Sequence, residues 1–363
     1  MRQNLRYSGV FFKSNQDDKL NSICCEQLAE IFEVEITEAS DWCRVKKGKI
    51  QITLPFAART LEPVVIEKLV AAGINTEMLA INTHIMAKKT KLARLAKVKN
   101  IIAVASGKGG VGKSTTSVNL AFALLQEGAK VGLLDADIYG PSVPIMLGNP
   151  NAQPSSEDQQ NMFPVEAFGL VANSIGYLVP PENATIWRGP MASGTLQQLV
   201  TETIWPELDY LIVDMPPGTG DIQLTLSQQV PVTAVVVVTT PQDLALADAI
   251  KGIAMFEKVD IPVLGLIENM SHYQCLNCGH QEHIFAEGGG KKLAARYNIE
   301  LLGQLPLDIR IRQHTDSGKP LMIAEPQSAL SENYRSAARA ISKKLALNTE
   351  IKADNSIPIT VSL

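Results

Sequence analysis

The sequence predicts a doubly wound α/β fold with a mostly parallel sheet, preceded by a small α/β domain. Two observations support this prediction. From residue 101 onward, short apolar segments rich in β-branched residues alternate with helical stretches, which is typical of a parallel sheet covered on both faces. The first of these segments runs into a glycine-rich loop at residues 107–114, and a helical pattern follows. This order predicts an anion-binding site at the carboxyl end of the first strand.

The predicted elements follow the chain in order. Near the N-terminus, apolar residues at positions 23, 28, 31 and 32 indicate a helix, residues 49–54 a strand, and residues 62–72 a second helix. In the larger unit, strands are predicted at residues 101–105, 131–135, 210–214, 234–240, 263–267 and 301–303. A polar segment at residues 149–160 indicates an exposed loop.

These elements divide the chain into four parts. Residues 1–85 form the small α/β domain, residues 86–100 a basic linker, residues 101–345 the larger domain and residues 346–363 a C-terminal tail. The linker is assigned from composition, because lysines are concentrated between residues 88 and 99. Charged segments of this kind are usually solvated connectors.

The glycine-rich loop carries the residue types that nucleotide phosphates require. Its glycines allow backbone N–H groups to wrap a phosphate, and the following helix N-terminus adds partial positive charge. Lys113 is expected to reach the β- and γ-phosphates, and Ser114 to ligate the accompanying Mg²⁺. The larger domain is therefore predicted to be a P-loop NTPase domain. The predicted nucleotide-binding residues of the loop are Gly107, Lys108, Gly109, Gly110, Val111, Gly112, Lys113, Ser114 and Thr115.

Three aspartates at predicted strand ends are candidate carboxylates for magnesium and water. Asp135 and Asp137 follow one strand of the larger domain, and Asp214 closes another. Because ligands of parallel sheets bind at the carboxyl ends of the strands, Asp135 and Asp214 are predicted to support magnesium. Asp137 is predicted to orient or activate the attacking water. The alternative for each carboxylate is a helix cap or a loop salt bridge.

The segment directly after Asp214 has an unusual composition. Residues 215–221 contain two prolines and two glycines. We expect either a loop that senses the γ-phosphate and changes conformation on hydrolysis, or a rigid turn into the next helix. Arg188, which precedes another predicted helix, is a weaker candidate for the same sensing role.

Two residues separate Cys275 from Cys278 in a polar, loop-like stretch. At this spacing a turn can present two thiolates to one metal centre. A four-cysteine cluster needs two more ligands, and Cys24, Cys25 and Cys43 lie in the other predicted domain without a matching spacing. A symmetric homodimer would supply the second pair and place the cluster on its two-fold axis.

Two other interpretations of the cysteine pair stay open. His280 and His283 follow closely, so the two cysteines and two histidines could form a zinc site within one subunit. The spacing between the histidines is short for such a site. The second alternative is a pair of thiols without a ligand. Ligand softness and ligand number favour the cluster.

Composition limits the function classes that the chain can serve. Its 363 residues carry a net charge of −4, which gives no electrostatic reason to expect nucleic acid or an anionic membrane as the main partner. The strongest apolar run, residues 233–240, is too short to span a bilayer, and residues 1–20 lack the apolar core of a signal peptide. We therefore expect a cytoplasmic protein without a membrane or nucleic-acid partner.

Several motifs occur together in the larger domain. They are the loop at residues 107–114 with its additional Lys108, and the segments 135–142, 214–221, 268–271 and 275–279. In combination they resemble the Mrp/ApbC family of iron-sulfur cluster carrier ATPases. The resemblance covers residues from about 100 to 345 and places the chain among the deviant Walker A ATPases, whose members include MinD, ParA and nitrogenase iron protein. Residues 22–85 are similar to the small domain that often precedes this ATPase.

The resemblance implies how the nucleotide is bound and cleaved. It implies ATP with Mg²⁺, and a homodimer in which Lys108 crosses the interface to the nucleotide of the partner. Lys108, Lys113 and Asp137 are then the expected catalytic residues. Asn269, Pro306 and Asp308 are the residues that the resemblance assigns to adenine recognition.

The resemblance also implies a cargo. Cys275 and Cys278 would hold a labile 4Fe-4S cluster that bridges the homodimer. Cluster donors would load the protein, and apo iron-sulfur proteins would receive the cluster. The predicted function is therefore an ATPase that binds an iron-sulfur cluster and passes it to apoproteins.

Two rival functions follow from the relatives of this family. A ParA/MinD-like positioning ATPase with a structural zinc site would bind DNA or membrane, but residues 336–363 lack a basic, aromatic amphipathic helix, and the acidic balance disfavours DNA. A redox protein resembling nitrogenase iron protein would hold its cluster through cysteines that are well separated in sequence. Cys275 and Cys278 share one turn, which is better suited to exchange.

Overall fold

The computed structural model describes residues 11–179, 189–275, 277–349, 351 and 354. The predicted sensor Arg188 and most of the predicted tail lie outside this part of the chain. Two compact units, Met1–Ile85 and Met86–Leu363, make up the molecule. No helix in the described part is sufficiently long and apolar to cross a membrane.

The first unit is a three-stranded sheet with helices against it. Its elements are α1 (Phe11–Phe32), α2 (Ile36–Ser40), β1 (Cys43–Lys46), β2 (Lys49–Leu54), α3 (Glu62–Ala71) and β3 (Leu79–Thr83). The strand order is β1-β2-β3, with β1 antiparallel and β3 parallel to β2. Phe32, Trp42 and Phe56 pack edge to face, with ring centroids 5.1–5.9 Å apart, and form the aromatic centre of this unit.

The second unit contains the phosphate-loop motif and the cysteine pair. Its elements are β4 (Val98–Ala105), α4 (Lys113–Gln126), β5 (Val131–Asp135), α5 (Val143–Met146), β6 (Val165–Ala167), β7 (Leu170–Ser174), α6 (Gly189–Thr201), β8 (Leu208–Asp214), α7 (Asp221–Gln229), β9 (Ala234–Thr239), α8 (Asp243–Lys258), β10 (Val263–Glu268), β11 (Tyr273–Gln274), β12 (Gln281–Glu282), α9 (Gly289–Tyr297), β13 (Glu300–Gln304), α10 (Ile309–Asp316), α11 (Leu321–Ala324) and α12 (Ala329–Leu347).

An eight-stranded sheet organises the second unit. Its order is β13-β10-β9-β4-β8-β5-β7-β6, and every neighbouring pair is parallel except β6 and β7. All six residues of β9 are buried, as expected for a strand that helices cover on both faces. The predicted doubly wound, mostly parallel sheet is confirmed. Because β4 lies between β8 and β9, the glycine-rich loop emerges at the middle of the carboxyl edge.

The boundary between linker and sheet differs from the prediction. β4 begins at Val98, so the last three residues assigned to the basic linker belong to the sheet. Asn100 is buried and its side chain donates hydrogen bonds to the carbonyls of Met86 and Asp209. Lys88 is also buried, and its Nζ donates to the carbonyl of Ala346 at 2.7 Å. This segment is therefore packed on the second unit, because its polar groups find partners there.

Two glycines of the second unit allow a test of the close packing between β10 and β13. In β10, a Cβ on Gly265 would meet the carbonyl of Glu300 and the side chain of Leu302 on β13. In α8, a Cβ on the buried Gly252 would meet nothing within 4 Å. Gly265→Ala should lower the free energy of unfolding by roughly 1–3 kcal/mol through overpacking. Gly252→Ala should raise it by about 0.5–1 kcal/mol through helix propensity.

Urea unfolding of both variants, followed by circular dichroism, measures the two changes. Equal effects of the two substitutions would contradict the close approach of β10 and β13.

Candidate nucleotide site and cysteine hairpin

The glycine-rich loop turns sharply between β4 and α4. Gly110 and Gly112 have φ angles of +84° and +83°, a conformation that glycine adopts without strain. A Cβ on Gly112 would collide with the side-chain amide of Asn269. That amide donates a hydrogen bond of 2.8 Å to the carbonyl of Val111. Glycine is therefore needed at position 112 both for the turn and for the approach of Asn269.

Lys113 begins α4 and is almost completely buried. Its Nζ lies 2.9 Å from Oδ1 of Asp214 and 3.7 Å from Oδ2 of Asp137. The Ser114 hydroxyl lies 3.2 Å from the same Nζ. A buried ammonium group is stable only beside opposite charge or strong acceptors, and here the carboxylates supply the charge. The structure thus brings the predicted loop lysine together with two of the three predicted carboxylates.

Asp214 ends β8 and is fully buried. Its Oδ1 accepts a hydrogen bond of 2.6 Å from the hydroxyl of Ser117, one turn along α4 from Lys113. Its Oδ2 has no hydrogen-bond partner among the described residues. A buried acceptor without a partner is costly, and a bound ion or ordered water satisfies it. This oxygen therefore fits the predicted magnesium site.

Asp135 holds the loop that follows β5. Its carboxylate accepts hydrogen bonds from the backbone N–H of Asp137, from two N–H groups at the start of α5, and from the hydroxyl of Ser174. Burial, together with the nearby charge of Asp214, raises the pKa of Asp135 to about 7. Because its acceptors are already used, Asp135 fixes the position of Asp137 in this state.

Asp137 lies at the edge of the same group of charges. Burial raises the pKa of its carboxyl group, and the ammonium of Lys113 acts in the opposite direction. A carboxylate with a raised pKa accepts a proton more readily, as a water-activating base requires.

Lys108 differs from Lys113 in its surroundings. Its side chain is partly exposed, and its backbone carbonyl accepts a hydrogen bond from the Ser106 hydroxyl at 2.9 Å. In the described part of the chain, no carboxylate lies within 4 Å of its Nζ. The two lysines of the loop therefore have different electrostatic roles in the isolated subunit.

A cleft of about 330 Å³ lies beside the phosphate loop. All three predicted adenine-contacting residues line it, together with two residues of the loop and first helical turn: Asn269, Pro306, Asp308, Gly112 and Thr115. The cleft also includes residues that the sequence analysis did not select: Met146, Ile311 and Tyr334. It is therefore continuous with the predicted phosphate site.

The Asp308 carboxylate is already bound within its own chain. It caps α10 through the backbone N–H of Arg310 and also accepts two hydrogen bonds from the guanidinium of Arg310. Burial opposes its charge, but the bonds from Arg310 outweigh burial and lower the pKa of Asp308. Asp308 therefore shapes this wall of the cleft with its side chain engaged.

The cysteine pair lies on a small hairpin made of β11 and β12. The N–H of Cys275 donates to the carbonyl of His280 at 2.9 Å, and the N–H of Gly279 donates back to the carbonyl of Cys275 at 2.8 Å. Gly279 has a φ of +72°. Backbone N–H groups of Cys278 and Asn277 stabilise the thiolate and lower the pKa of Cys275. The turn thus presents an exposed Cys278 beside a partly exposed, thiolate-prone Cys275.

His283, one of the two candidate histidine ligands, is engaged elsewhere. Nδ1 of His283 lies 2.9 Å from the carbonyl of Ser271, and its Nε2 lies 3.8 Å from Glu287. Within the described residues, no group of three or more His, Cys, Asp and Glu side chains is arranged to hold a metal ion. The remaining cysteines, Cys24, Cys25 and Cys43, are buried in the first unit. The structure does not bring His283 to the cysteine turn.

Two residues near the site were missed by sequence reasoning. Ser117 contacts Asp214, and its position four residues after Lys113 on the same helix face is the signal that could have identified it. Glu268 is buried at the end of β10 and binds the backbone N–H of Gly290, where α9 begins. An acidic residue at the end of an apolar strand, followed later by three glycines, could have indicated this contact.

A protein-family model described as ParA: NUBPL iron-transfer P-loop NTPase matches residues 97–342. The chain belongs to this family. The iron-sulfur cluster carrier protein of Escherichia coli strain K12 is 61% identical over 254 residues, which are 70% of this chain and 69% of that protein. The iron-sulfur cluster carrier protein of Haemophilus influenzae is 53% identical over 316 residues, 83% of this chain and 85% of that protein. The predicted resemblance to cluster carriers is confirmed.

Solved structures agree with the fold. A nucleotide-binding protein from Archaeoglobus fulgidus in complex with ADP is 37% identical, with a TM-score of 0.58 over 66% of this chain and 93% of that chain. The cell division ATPase MinD of Pyrococcus furiosus is 21% identical, with a TM-score of 0.51 over 67% of this chain and 98% of that chain. The chain is a P-loop NTPase by its family, and it shares the fold of MinD.

The lowered pKa of Cys275 gives a test of the turn. Because the thiolate is the form that reacts, the pH midpoint for alkylation of Cys275 in the metal-free protein should lie below that in the urea-unfolded chain. Gly279→Ala should move the midpoint upward, since alanine disfavours a φ of +72° and the N–H donors would move away.

Gly48→Ala is the matched control, because Gly48 has a φ of +76° in the hairpin between β1 and β2 of the other unit. Mass spectrometry of the alkylated peptides at a series of pH values gives each midpoint. A native midpoint equal to the unfolded one would show that the turn does not stabilise the thiolate.

Proposed function

We propose that this protein is an ATP-hydrolysing iron-sulfur cluster carrier. Two subunits hold a labile 4Fe-4S cluster between them, each through its own Cys275 and Cys278. The protein transfers this cluster to apo iron-sulfur proteins. The observation that carries the proposal is the accessible two-thiol turn on the same edge of the sheet as the phosphate loop. The carrier names of the relatives that are 53–61% identical support it.

The phosphate loop binds ATP by replacing contacts within the protein. In the structure, the ammonium of Lys113 is shared between Asp214 and Asp137. Incoming β- and γ-phosphates offer stronger negative charge, so Lys113 turns to them and releases both carboxylates. The loop N–H groups and the α4 N-terminus bind the remaining phosphate oxygens. Nucleotide binding therefore changes the electrostatic environment of the site before any bond is broken.

The donor set at the end of β8 fits a magnesium ion. Asp214 offers a buried Oδ2 without a partner, and the hydroxyl of Ser114 lies on the adjacent helical turn. Ser114 and Asp214 would hold the ion, and Asp135 would support them by fixing the neighbouring loop. A magnesium ion held by these residues would neutralise charge on the phosphates during cleavage.

Water activation and charge stabilisation complete the hydrolysis. Asp137, freed from Lys113 and carrying a raised pKa, accepts a proton from the attacking water. The water oxygen forms a bond to the γ-phosphorus, the bond to the ADP oxygen breaks, and ADP and inorganic phosphate are released. Lys108 has no carboxylate partner in its own described subunit, so it is available to stabilise the transferred phosphoryl group of the partner subunit.

The cluster site is complete only in a homodimer. Each subunit supplies the two thiolates of one turn, and four cysteine ligands are required for a 4Fe-4S cluster. Because this turn is exposed, an acceptor protein can approach its thiolates, which suits a cargo that must leave. We also propose a cytoplasmic location, since the five cysteines are free and suit a reducing compartment.

The two loop lysines can be separated by matched substitutions. Lys113→Gln should weaken ADP binding about 100-fold, because removing one partner of a buried charged contact costs roughly 3 kcal/mol. Lys108→Gln should leave ADP affinity within about twofold in the isolated subunit but abolish ATP turnover. Isothermal titration calorimetry and phosphate release give the two quantities, with circular dichroism as the check on folding. Normal turnover in Lys108→Gln would contradict the proposed role across the interface.

Anaerobic reconstitution with iron and sulfide tests the cargo. The proposed bridging cluster predicts about two iron and two sulfide per chain, bound to a dimer. Cys275→Ser and Cys278→Ser should each lose the iron and the cluster-dependent dimer. Cys25→Ala is the control, because Cys25 is buried in the other unit. Metal analysis together with light scattering measures both properties.

The same measurement separates the alternatives. One zinc per chain without sulfide would indicate a structural site and would reject the carrier proposal. Retention of iron by both cysteine variants would place the cluster elsewhere.

A further inference from the structure

A short segment of the chain joins the nucleotide cleft to the cysteine turn. It comprises residues 269–274, between the end of β10 and Cys275, and we refer to it as the connecting segment. At its start, Asn269 and Met270 line the cleft, and the Asn269 amide is bound to the phosphate loop at the carbonyl of Val111. At its end, Tyr273 and Gln274 form β11 of the cysteine hairpin. One continuous stretch therefore contacts both sites.

The opposite wall of the cleft is hydrogen-bonded to the same segment. The N–H of Ser271 donates to the carbonyl of Leu305 at 2.9 Å, and the Ser271 hydroxyl donates to the same carbonyl at 3.1 Å. The N–H of Leu307 donates to the carbonyl of His272 at 2.7 Å, and Tyr273 pairs with Leu307 in a parallel bridge. These bonds extend the pairing of β10 with β13 beyond the sheet. A displacement of residues 305–307 is thus transmitted to the base of the hairpin.

The chain that follows the hairpin returns to the same point of the sheet at the start of α9. Glu268, directly before the connecting segment, binds the N–H of Gly290 in the first turn of α9 and accepts a 2.8 Å hydrogen bond from Gln304. A Cβ on Gly290 would collide with the Glu268 carboxylate, so the approach is as close as a glycine permits. The connecting segment and the start of α9 are therefore both anchored where β10 and β13 reach the cleft.

We propose that the nucleotide cleft is coupled to the Cys275–Cys278 turn within a single subunit through the connecting segment, with Ser271 as the positioning residue. The inference rests on the proposed function for its biological meaning: nucleotide occupancy would alter how the thiolates are held, before any change in the dimer. Ser271 is suited to this role because it is 1% exposed and bonds the two walls through both its N–H and its hydroxyl.

The coupling requires that nucleotide bind more tightly to one arrangement of the two cleft walls than to another. A nucleotide base bound in the cleft would contact Asn269 on one wall and residues 306–308 on the other, since these residues line it. It therefore selects a particular distance between them. Since the hairpin base is bonded to both walls, the same selection changes the position of Cys275 and of the backbone groups around it. Such couplings typically amount to about 5-fold or more in an equilibrium constant.

Alkylation of the full-length, metal-free protein tests this coupling. Iodoacetamide is the probe, the rate at Cys275 is read by peptide mass spectrometry, and ADP with Mg²⁺ is present or absent. Saturating ADP should change the Cys275 rate by about fivefold. In Ser271→Ala the effect of ADP should fall below about twofold while ADP affinity stays within about twofold of the parent. If Ser271 had only a structural role, its replacement would change the rates with and without ADP alike. The ratio of the two rates would then stay the same.

Ser331→Ala is the matched control. Ser331 is equally buried, and its hydroxyl donates to a backbone carbonyl, that of Glu325, at 2.7 Å. It should keep the full effect of ADP. Sedimentation velocity run in parallel identifies any ADP-dependent dimer, whose shielding of Cys275 would persist in Ser271→Ala.

Each outcome bears on the inference in a defined way. An unchanged Cys275 rate in protein shown to be saturated with ADP would overturn the coupling, and so would a full ADP effect in Ser271→Ala. The experiment uses no iron, so failure of cluster reconstitution would reject the carrier function without affecting this result. Absence of ADP binding would reject both.

Discussion

The buried contact between Lys113 and Asp214 is the interaction on which the rest of the nucleotide site depends. Each charge would be costly to bury alone, and each is stable because the other lies 2.9 Å away. The pair joins the first turn of α4 to the end of β8 and so determines how the helix meets the sheet. Ser117 adds a second bond between the same elements. Because phosphate competes for this lysine, nucleotide binding and local packing are linked.

The cysteine turn differs from the buried Lys113–Asp214 contact because its thiols are accessible. The proposed carrier function requires that cargo enter and leave, so its thiols cannot be buried among apolar side chains. The turn is held by backbone hydrogen bonds at Cys275 and Gly279, and the segment before the hairpin is anchored at Leu305. This arrangement places a reactive, exposed turn on a rigid sheet edge. An exchange site of this kind gains accessibility from the hairpin and a fixed position from the sheet.

Much of the fold was predictable because buried parallel strands are apolar along their whole length. The strands β5 and β2 have the bounds that were predicted for them, residues 131–135 and 49–54. β1 and β6 were missed because they are short, and β7 was missed because it follows a tight turn at Phe168 and Gly169 that interrupts the pattern. The linker was misjudged because composition does not reveal that the amine of Lys88 reaches the carbonyl of Ala346.

The sequence by itself determined where phosphate binds, because a strand, a glycine-rich loop and a helix follow one another in the order that a phosphate site requires. It also indicated that Cys275 and Cys278 share a turn, since the stretch around them is polar and loop-like. Only the tertiary structure decided which groups meet. Asn269 bonds Val111 from 158 residues away, and Ser271 bonds Leu305 from 34 residues away. Such contacts depend on the order of strands in the sheet, which no local pattern encodes.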